Sequence, residues 1–422
     1  MYRICFSHTL TVLAKDGGTN PQKNTATATY TVILTDVNDE DPTILGTPYD
    51  ETIFENTPVN TIVFTLDVQD DDINQNAVLT FAFTGGNTDG DFVIDSGSGL
   101  IQVKNALDRE RTEVYELVVL VTDGGVPARS ASVTATLTVA DVNDSPPVFQ
   151  PDPTDTYHFN VQENMPAGSA VGQIVATDDD INNNGQIQYT IAYHIRGNST
   201  HFSLHAGTGH IKVAQSLDRE TQDLYVFVVR ATDSPTSGDR LTATATVSVI
   251  VTDFNDNTPS FSRILYTAST TENLPEGTSI LTVVIADNDV DVNDDITLSI
   301  SDTTADYYIK ANSSNYILYV KNPIDREAID LLNFTLMATD GGTPPLSFTT
   351  QVQITVGDEN DNAPVFSPVF YNSEIAYNDE CQVTVAVLSA SDEDQGVNAE
   401  FTFATTVNNN PHIFALNSLT GG

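Results

Sequence analysis

Hydrophobic and polar residues alternate in short runs along the whole chain. Val133, Ala135, Leu137 and Val139 take every second position of one run, and Leu332, Phe334, Leu336 and Ala338 of another. A period of two, rich in Val, Ile, Thr, Tyr and Phe and interrupted by Gly, Pro, Asn and Asp, predicts half-buried β-strands joined by turns. No segment keeps a helical period, so the predicted class is all-β. No apolar run approaches the ~18 residues of a membrane-spanning helix. Residues 1–10 lack the charged start, apolar centre and small-residue site of an export signal.

The runs are punctuated by a recurring set of acidic and amide residues. Asp-x-Asn-Asp begins at Asp36, Asp141, Asp253 and Asp358, at spacings of 105, 112 and 105, and each copy runs into a proline, Pro42, Pro146, Pro259 or Pro364. Glu-Asn pairs stand at Glu55-Asn56, Glu163-Asn164 and Glu272-Asn273, and Asp-x-Asp at Asp70/Asp72, Asp178/Asp180, Asp287/Asp289 and Asp392/Asp394. Leu-Asp-Arg-Glu occupies 107–110 and 217–220, with an Ile324 variant at 324–327, and a strand-closing aspartate recurs at Asp16, Asp123, Asp233 and Asp340. A fixed period of this length marks tandem domains, each large enough for its own core. The phasing predicts a partial repeat at 1–40, whole repeats at 41–145, 146–257 and 258–362, and a partial repeat at 363–422. The first lacks its front half and the last stops part-way, so the chain is expected to be an internal stretch of something longer.

Charge adds a second argument. With 58 acidic and 16 basic side chains the net charge is −42, which excludes nucleic acid and an anionic membrane surface as partners. Of the 58 carboxylates, 24 fall on the phased motifs at the four domain boundaries even without the first aspartate of each tetrad. The charge is therefore clustered rather than spread as a solvating coat. Two like charges ~4 Å apart cost on the order of 4 kcal/mol at an effective dielectric of ~20. A boundary crowded with carboxylates needs counter-charge, and hard divalent cations that prefer oxygen ligands supply it. The two cysteines, Cys5 and Cys381, fall in different partial repeats and form no repeating disulfide framework.

Five acidic or amide motifs in fixed order, repeated up to four times over essentially the whole chain, resemble the cadherin family. The resemblance implies tandem seven-stranded Greek-key β-sandwiches joined by linkers that bind three calcium ions each. At the boundary of the second and third repeats it implies that Glu55, Asp108, Glu110 and Asp144, with the carbonyl of Val142, hold an adjacent pair of ions. Asn143, Asp178, Asp180 and Asp233, with the backbone of Ser145 and Asn184, would hold the third. Ser145 stands where Asn is usual, a change to which a carbonyl ligand is nearly indifferent. The next boundary is expected to use Glu163, Asp218, Glu220, Asn255, Asp256, Asp287, Asp289 and Asp340, with carbonyls of Phe254, Asn257 and Asn293. The first boundary keeps Asn38, Asp39, Asp70, Asp72 and Asp123. The last has Glu272, Asp325, Glu327, Asn360, Asp361, Asp392 and Asp394, with the backbone of Glu359, Asn362 and Asn398; its closing aspartate would fall beyond Gly422. In the fifth repeat Tyr377 stands where the bridging glutamate belongs, which implies weaker or fewer ions at the following junction and a hinge there. Carboxylates, amides and carbonyls without thiolate or imidazole suit calcium, the one cofactor expected.

Other signals read as structure. Asp287 to Asn293 imitates an EF-hand loop, but Val292 takes the glycine position and Leu298 the glutamate position. The pair Asp108/Glu110 recurs at every domain edge, as a catalytic pair would not. Ser98 lacks the frame of a nucleophile elbow and lies at a hairpin turn. Strand alternation would put His201 and His205 on one outer face, with Phe202 and Leu204 inward. Asn198, Asn312 and Asn333 head glycosylation sequons, and Asn333 is expected to point outward from its strand. Thr242, Thr244 and Thr246 resemble the outward threonines that carry O-mannose in cadherins.

The resemblance thus implies calcium-dependent cell-cell adhesion by an ectodomain fragment of a membrane protein on the extracellular side of the plasma membrane. Its attachment would lie outside this chain. Other cadherin ectodomains, the same or different, are the expected partners, and no enzymatic activity is expected. A calcium-stiffened spacer with no binding face is the alternative. The chain has no Trp, so the strand-exchange anchor that some cadherins carry in their first repeat is absent from it. The loop-sparse repeats look like the long arrays of the Fat, dachsous and protocadherin type.

Overall fold

The computed structural model describes residues 7–18, 24–150, 156–301, 306–312, 315–376, 383–405 and 414–419. Strands and turns make up these residues, apart from two 3-10 turns, Ser199–His201 and Asp291–Asp294. Cys5, Tyr377, Cys381 and the Ser313 and Ser314 positions of one sequon lie outside the described residues.

Three β-sandwiches follow one another along the chain. In the first, strands Tyr49–Phe54, Ser130–Ala140, Val114–Thr122 and Thr80–Gly85 lie side by side in that order. The first pair is parallel and the other two are antiparallel. The facing sheet sets Leu100–Val103 between Ile62–Thr65 and Phe92–Ile94. A short pair, Thr43–Leu45 with Asp67–Gln69, continues one edge. The chain passes from Leu45 to Tyr49 through Gly46 at φ 72°, a left-handed conformation that glycine adopts without a Cβ clash. The next sandwich repeats the order with Thr156–Gln162, Thr242–Thr252, Leu224–Thr232 and Gln188–Arg196. The one after uses Leu265–Thr271, Ser347–Gly357, Leu331–Thr339 and Thr297–Ile300. Beyond them lie the antiparallel hairpin of Ser7–Lys15 with Thr25–Ile33 and a short pair, Val365–Phe366 with Ala390–Ser391.

Each sandwich has a separate core, made by the inward half of the alternation. Leu117, Val119 and Val121 meet Ala135, Leu137 and Val139 across one sheet and Phe64, Phe92 and Ile101 from the other. Phe227, Val229 and Val247 play the same part in the next sandwich, and Phe334, Leu336 and Ile354 in the last. Burying such side chains stabilises each sandwich by roughly 1.5–3 kcal/mol per residue. The outward half faces solvent: Leu332, Phe334, Leu336 and Ala338 are buried while Asn333 between them is exposed.

Two local readings are settled by turns. Asp95 Oδ1 accepts from the N–H groups of Gly97 and Ser98 and from the Ser98 hydroxyl, so Ser98 belongs to a turn. His201 and His205 do not share a strand face. Asn198 caps a 3-10 turn by accepting from Thr200 N at 3.0 Å, so the alternation starts only at Phe202. His201 packs its ring on Tyr225, and His205 accepts from Thr208 N past the end of its strand. The segment from Asp287 to Asn293 is flanked by strands Ser279–Ala286 and Thr297–Ile300, as no EF-hand loop is.

Candidate metal centres at the domain junctions

A buried glutamate anchors each linker. Glu55 accepts from Arg109 N at 2.8 Å with one oxygen and from Val142 N at 2.7 Å with the other. Glu163 does the same for Arg219 N and Phe254 N, and Glu272 for Arg326 N and Glu359 N. One carboxylate thus ties the Asp-Arg-Glu loop to the first linker residue. Within that loop Asp108 accepts from Arg111 N, and Asp218 and Asp325 accept from Thr221 N and Ala328 N. The Asp-x-Asp loop of the following repeat is folded by its own first aspartate. Asp70, Asp178, Asp287 and Asp392 each accept from the N–H two residues on, at 3.0–3.1 Å.

These loops bring together acids that are far apart in the chain. Ligand atoms of Glu55, Asp108 and Glu110 lie within 4.8 Å of one another, as do those of Glu110, Asp144 and Asp180, so the second group draws on one repeat, the linker and the next repeat. At the following junction Glu163, Asp218 and Glu220 form one such group and Glu220, Asp256 and Asp289 another. Glu272, Glu327 and Asp361 form a further group at the last. Without a cation the charged forms are disfavoured. Burial raises the carboxyls of Glu110, Asp144, Asp178, Glu163, Asp287 and Asp289 above the usual range. Burial, reinforced by Asp141, Asp178 and Asp144, pushes Asp180 up to about 6.

The linker asparagine is aimed by its amide. Asn143 donates to Asp233 and to the Asp239 carbonyl, both at 2.9 Å, Asn38 to Asp123 and Pro127, and Asn255 to Asp340 and Pro344. With the amide nitrogen engaged, the Oδ1 atoms of Asn38, Asn143 and Asn255 are buried and accept no hydrogen bond. The close approach needs glycine. A Cβ on Gly125 would fall 2.1 Å from Asn38 Cγ, and one on Gly342 2.2 Å from Asn255 Cγ. Further buried oxygens without a hydrogen-bond partner belong to Asp70, Asp178, Asp180, Asp233, Asp287 and Asp394. Leaving such atoms unpaired costs several kcal/mol each in a dry site, on the order of 1–3 by mutational measure. A hard cation is the partner that suits an array of carboxylate and amide oxygens.

The family model described as Cadherin domain matches residues 49–140, 157–252 and 266–357, one for each sandwich. The chain belongs to the cadherin family. Cadherin domains generally bind calcium at their linkers, and they serve adhesion rather than catalysis. The chain is 34% identical over 407 residues to the Drosophila melanogaster Protocadherin-like wing polarity protein stan, covering 95% of this chain and 11% of that protein. It is 36% identical over 411 residues to human Protocadherin Fat 1, covering 97% and 9%. It therefore spans about a tenth of the length of these relatives. Among solved structures, the Protocadherin GammaB4 extracellular domain aligns with a TM-score of 0.68 at 28% identity, covering 99% of this chain and 66% of that one. Mouse Cadherin-23 EC22-24 aligns with a TM-score of 0.60 at 29% identity, covering 75% and 99%. Among the described residues no helix is long and apolar enough to cross a membrane.

Three kinds of residue at the junctions have jobs that sequence reasoning missed. Asn257 donates one amide nitrogen to both Asp256 and Asp289 at 2.8 Å, and Asn362 does so to Asp361 and Asp394. Ser145, at the corresponding position of the Asp141 junction, has no amide to donate in this way. Asn164 and Asn273 donate to Asp256 and Asp361. Arg109 and Asp141 are paired, as are Arg219 and Asp253, and Arg326 and Asp358. Their signal in the sequence was the period itself, since each stands inside a motif read for its other members.

Proposed function

We propose that this chain is a calcium-stiffened stretch of an adhesion ectodomain, with the cations held at the domain junctions. The observation that carries the reading is the set of buried oxygens without partners on Asn143, Asp178, Asp180 and Asp233 and on their counterparts. They sit on the linker and the following repeat, beside carboxylates supplied by the preceding repeat. Glu55, Asp108, Glu110 and Asp144 would hold the paired ions at the Asp141 junction, and Glu163, Asp218, Glu220 and Asp256 those at the Asp253 junction. Asn255, Asp287, Asp289 and Asp340 would hold the third ion there. Bound cations supply the positive charge that lets these carboxylates stay ionised side by side. Ligands drawn from two repeats and the linker between them couple cation binding to interdomain rigidity.

The repeat boundaries at 40, 145, 257 and 362 follow from this assignment, since each closes on a tetrad. Other cadherin ectodomains are the partners that suit such a rod, displayed on the extracellular side of the plasma membrane through a segment outside this chain. Calorimetric titration of the full chain with calcium tests the assignment. Roughly three ions per complete junction are expected, with magnesium a poor competitor because these sites offer many protein oxygens and little room for its retained waters. Weak binding of equal strength for both cations would refute it. Sedimentation in calcium over a range of concentrations tests the partner: self-association supports a binding face, and a monomer throughout favours a spacer.

A further inference from the structure

We propose that the third repeat docks a second copy of this chain through the outward face of one sheet, and that it meets there the matching face of that copy's second repeat. The proposal rests on the reading of the chain as an adhesion ectodomain and names the surface that reading leaves open. Strands Thr156–Gln162, Thr242–Thr252, Leu224–Thr232 and Gln188–Arg196 contain no acidic residue, yet hold His158, Arg230, His194 and Arg196. In a chain of net charge −42 this is a reversal of sign confined to one sheet. The matching strands of the second repeat, Tyr49–Phe54, Ser130–Ala140, Val114–Thr122 and Thr80–Gly85, hold Asp50, Glu51 and Glu116 and no basic residue. Those of the fourth repeat, Leu265–Thr271, Ser347–Gly357, Leu331–Thr339 and Thr297–Ile300, carry no charge.

The charges occupy equivalent places. Asp50, His158 and Thr267 each stand five residues before the buried glutamate of their repeat. In the second repeat Asp50 is aligned with Thr136, and Thr136 with Glu116, so the two acids end one row across three strands. The same row of the third repeat runs through His158, Ser248, Val226 and Arg196. That of the fourth runs through Thr267, Gln353 and Asn333. Residues aligned across neighbouring strands share one side of a sheet. One row is therefore acidic, the next basic, and the last ends on a sequon asparagine. Arg230 adds its charge to the third repeat's face in the row of Thr190 and Thr244. Asp50, Glu116, His158, Arg196 and Arg230 are all exposed. The pair that Arg196 makes with Asp223 is itself more than half exposed, at 51% and 61%, so it leaves the arginine open to a partner.

Apolar side chains supply the rest of a contact. Tyr193 and Ile250 are 58% and 48% exposed on the third repeat's sheet, and Phe54 and Val114 are 59% and 47% exposed on the second's. Val228, aligned with Tyr193, lies on the outward side of its strand and outside the core cluster, yet is only 5% exposed. The outer surface is thus already packed before a partner arrives. An apolar patch bordered by charge of one sign suits a partner with an apolar patch and the opposite sign. Two copies of this chain meet that requirement twice. About a twofold axis the chains run antiparallel, and each third repeat meets the second repeat of the other copy. Pairing two third repeats would instead set Arg196 and Arg230 against like charge, and a glycan on Asn333 would cover the fourth repeat's face.

Sedimentation of the full chain in calcium gives the test, with a reducing agent to keep Cys5 and Cys381 from linking copies. The parent should dimerise, and the dimer should weaken as ionic strength rises. His158→Glu, Arg196→Glu and Arg230→Glu together make the third repeat's face acidic, and Asp50→Lys with Glu116→Lys makes the second repeat's face basic. Either variant alone sets like charges together at both contacts, and its dimer should weaken by about tenfold or more. Mixed, the two restore opposite signs at both contacts and should form a one-to-one dimer as tight as the parent's. Tyr193→Ser should weaken the dimer without changing charge. Lys310→Glu, on the other sheet of the fourth repeat, should leave it unchanged. The substituted residues are exposed strand positions, and melting curves like the parent's show that the variants fold. A monomeric parent would overturn the proposal, and so would a charge variant that dimerises like the parent or a mixture that fails to recover. Calcium titration of the same variants reports on the cation reading separately, because none of the substituted residues is a junction acid.

Discussion

Asn257→Ser and Ser145→Asn exchange the residues that follow two tetrads, and they should move cation affinity in opposite directions. Asn257 ties the linker acid Asp256 to Asp289 of the next repeat, 2.8 Å to each. At the Asp141 junction Ser145 touches Asp180 only through its backbone N–H, at 3.4 Å. A hydrogen bond to a charged group contributes about 1.5–3 kcal/mol when protected. The Asp256 contact is exposed and that to Asp289 half-buried, so surface screening brings the pair down to about 1–2 kcal/mol together. That corresponds to a loss of about 5- to 30-fold in affinity at the Asp253 junction for Asn257→Ser. Ser145→Asn should recover part of the same factor at the Asp141 junction. Calcium titrations of the full chain, read by limited proteolysis at each linker, resolve the two junctions. Affinities that stay within twofold in both variants would show that only the backbone carbonyl matters at this position.

Asp256→Ala should lower calcium affinity far more than Asp294→Ala, because Asp256 lies in a cross-domain acid group while Asp294 is an exposed residue of a 3-10 turn; equal losses by calorimetry would mean that diffuse acidity governs binding. Glu163→Ala should lower the melting temperature of the third repeat even in chelator, since it strands the N–H groups of Arg219 and Phe254 at about 1–3 kcal/mol each, and an unchanged melt would show that those bonds are dispensable. Chelation should open the linkers to protease while the sandwiches persist, because their cores contain none of the junction acids; collapse of the far-ultraviolet β signal in chelator would contradict that separation.

Much of the fold can be read from the chain because burial in a sandwich has the same period as the strand. Leu117, Val119 and Val121 alternate in sequence, and the pleat converts this directly into one buried face. The junctions are legible for a related reason: an acid cluster assembled from several loops must repeat every member of each loop, so Glu110, Asp144 and Asp180 announce themselves by phase. What a period does not reveal is the division of labour inside a motif. Asp141 and Asp144 belong to one tetrad, yet the first is engaged by Arg109 and Asn184 while the second joins Glu110 and Asp180. The difference lies in which way each side chain turns across a joint between two domains. The histidine reading failed on a smaller scale. A single Asn198 cap sets Ser199 to His201 in a turn, and so shifts His201 off the face assigned by alternation.

Small-angle scattering of the full chain in millimolar calcium and in chelator tests cation stiffening most directly. In calcium a single extended shape is expected. In chelator the account predicts a clear rise in flexibility and a broadened set of shapes, with the sandwiches intact. Identical maximum dimension and flexibility in the two conditions would contradict it.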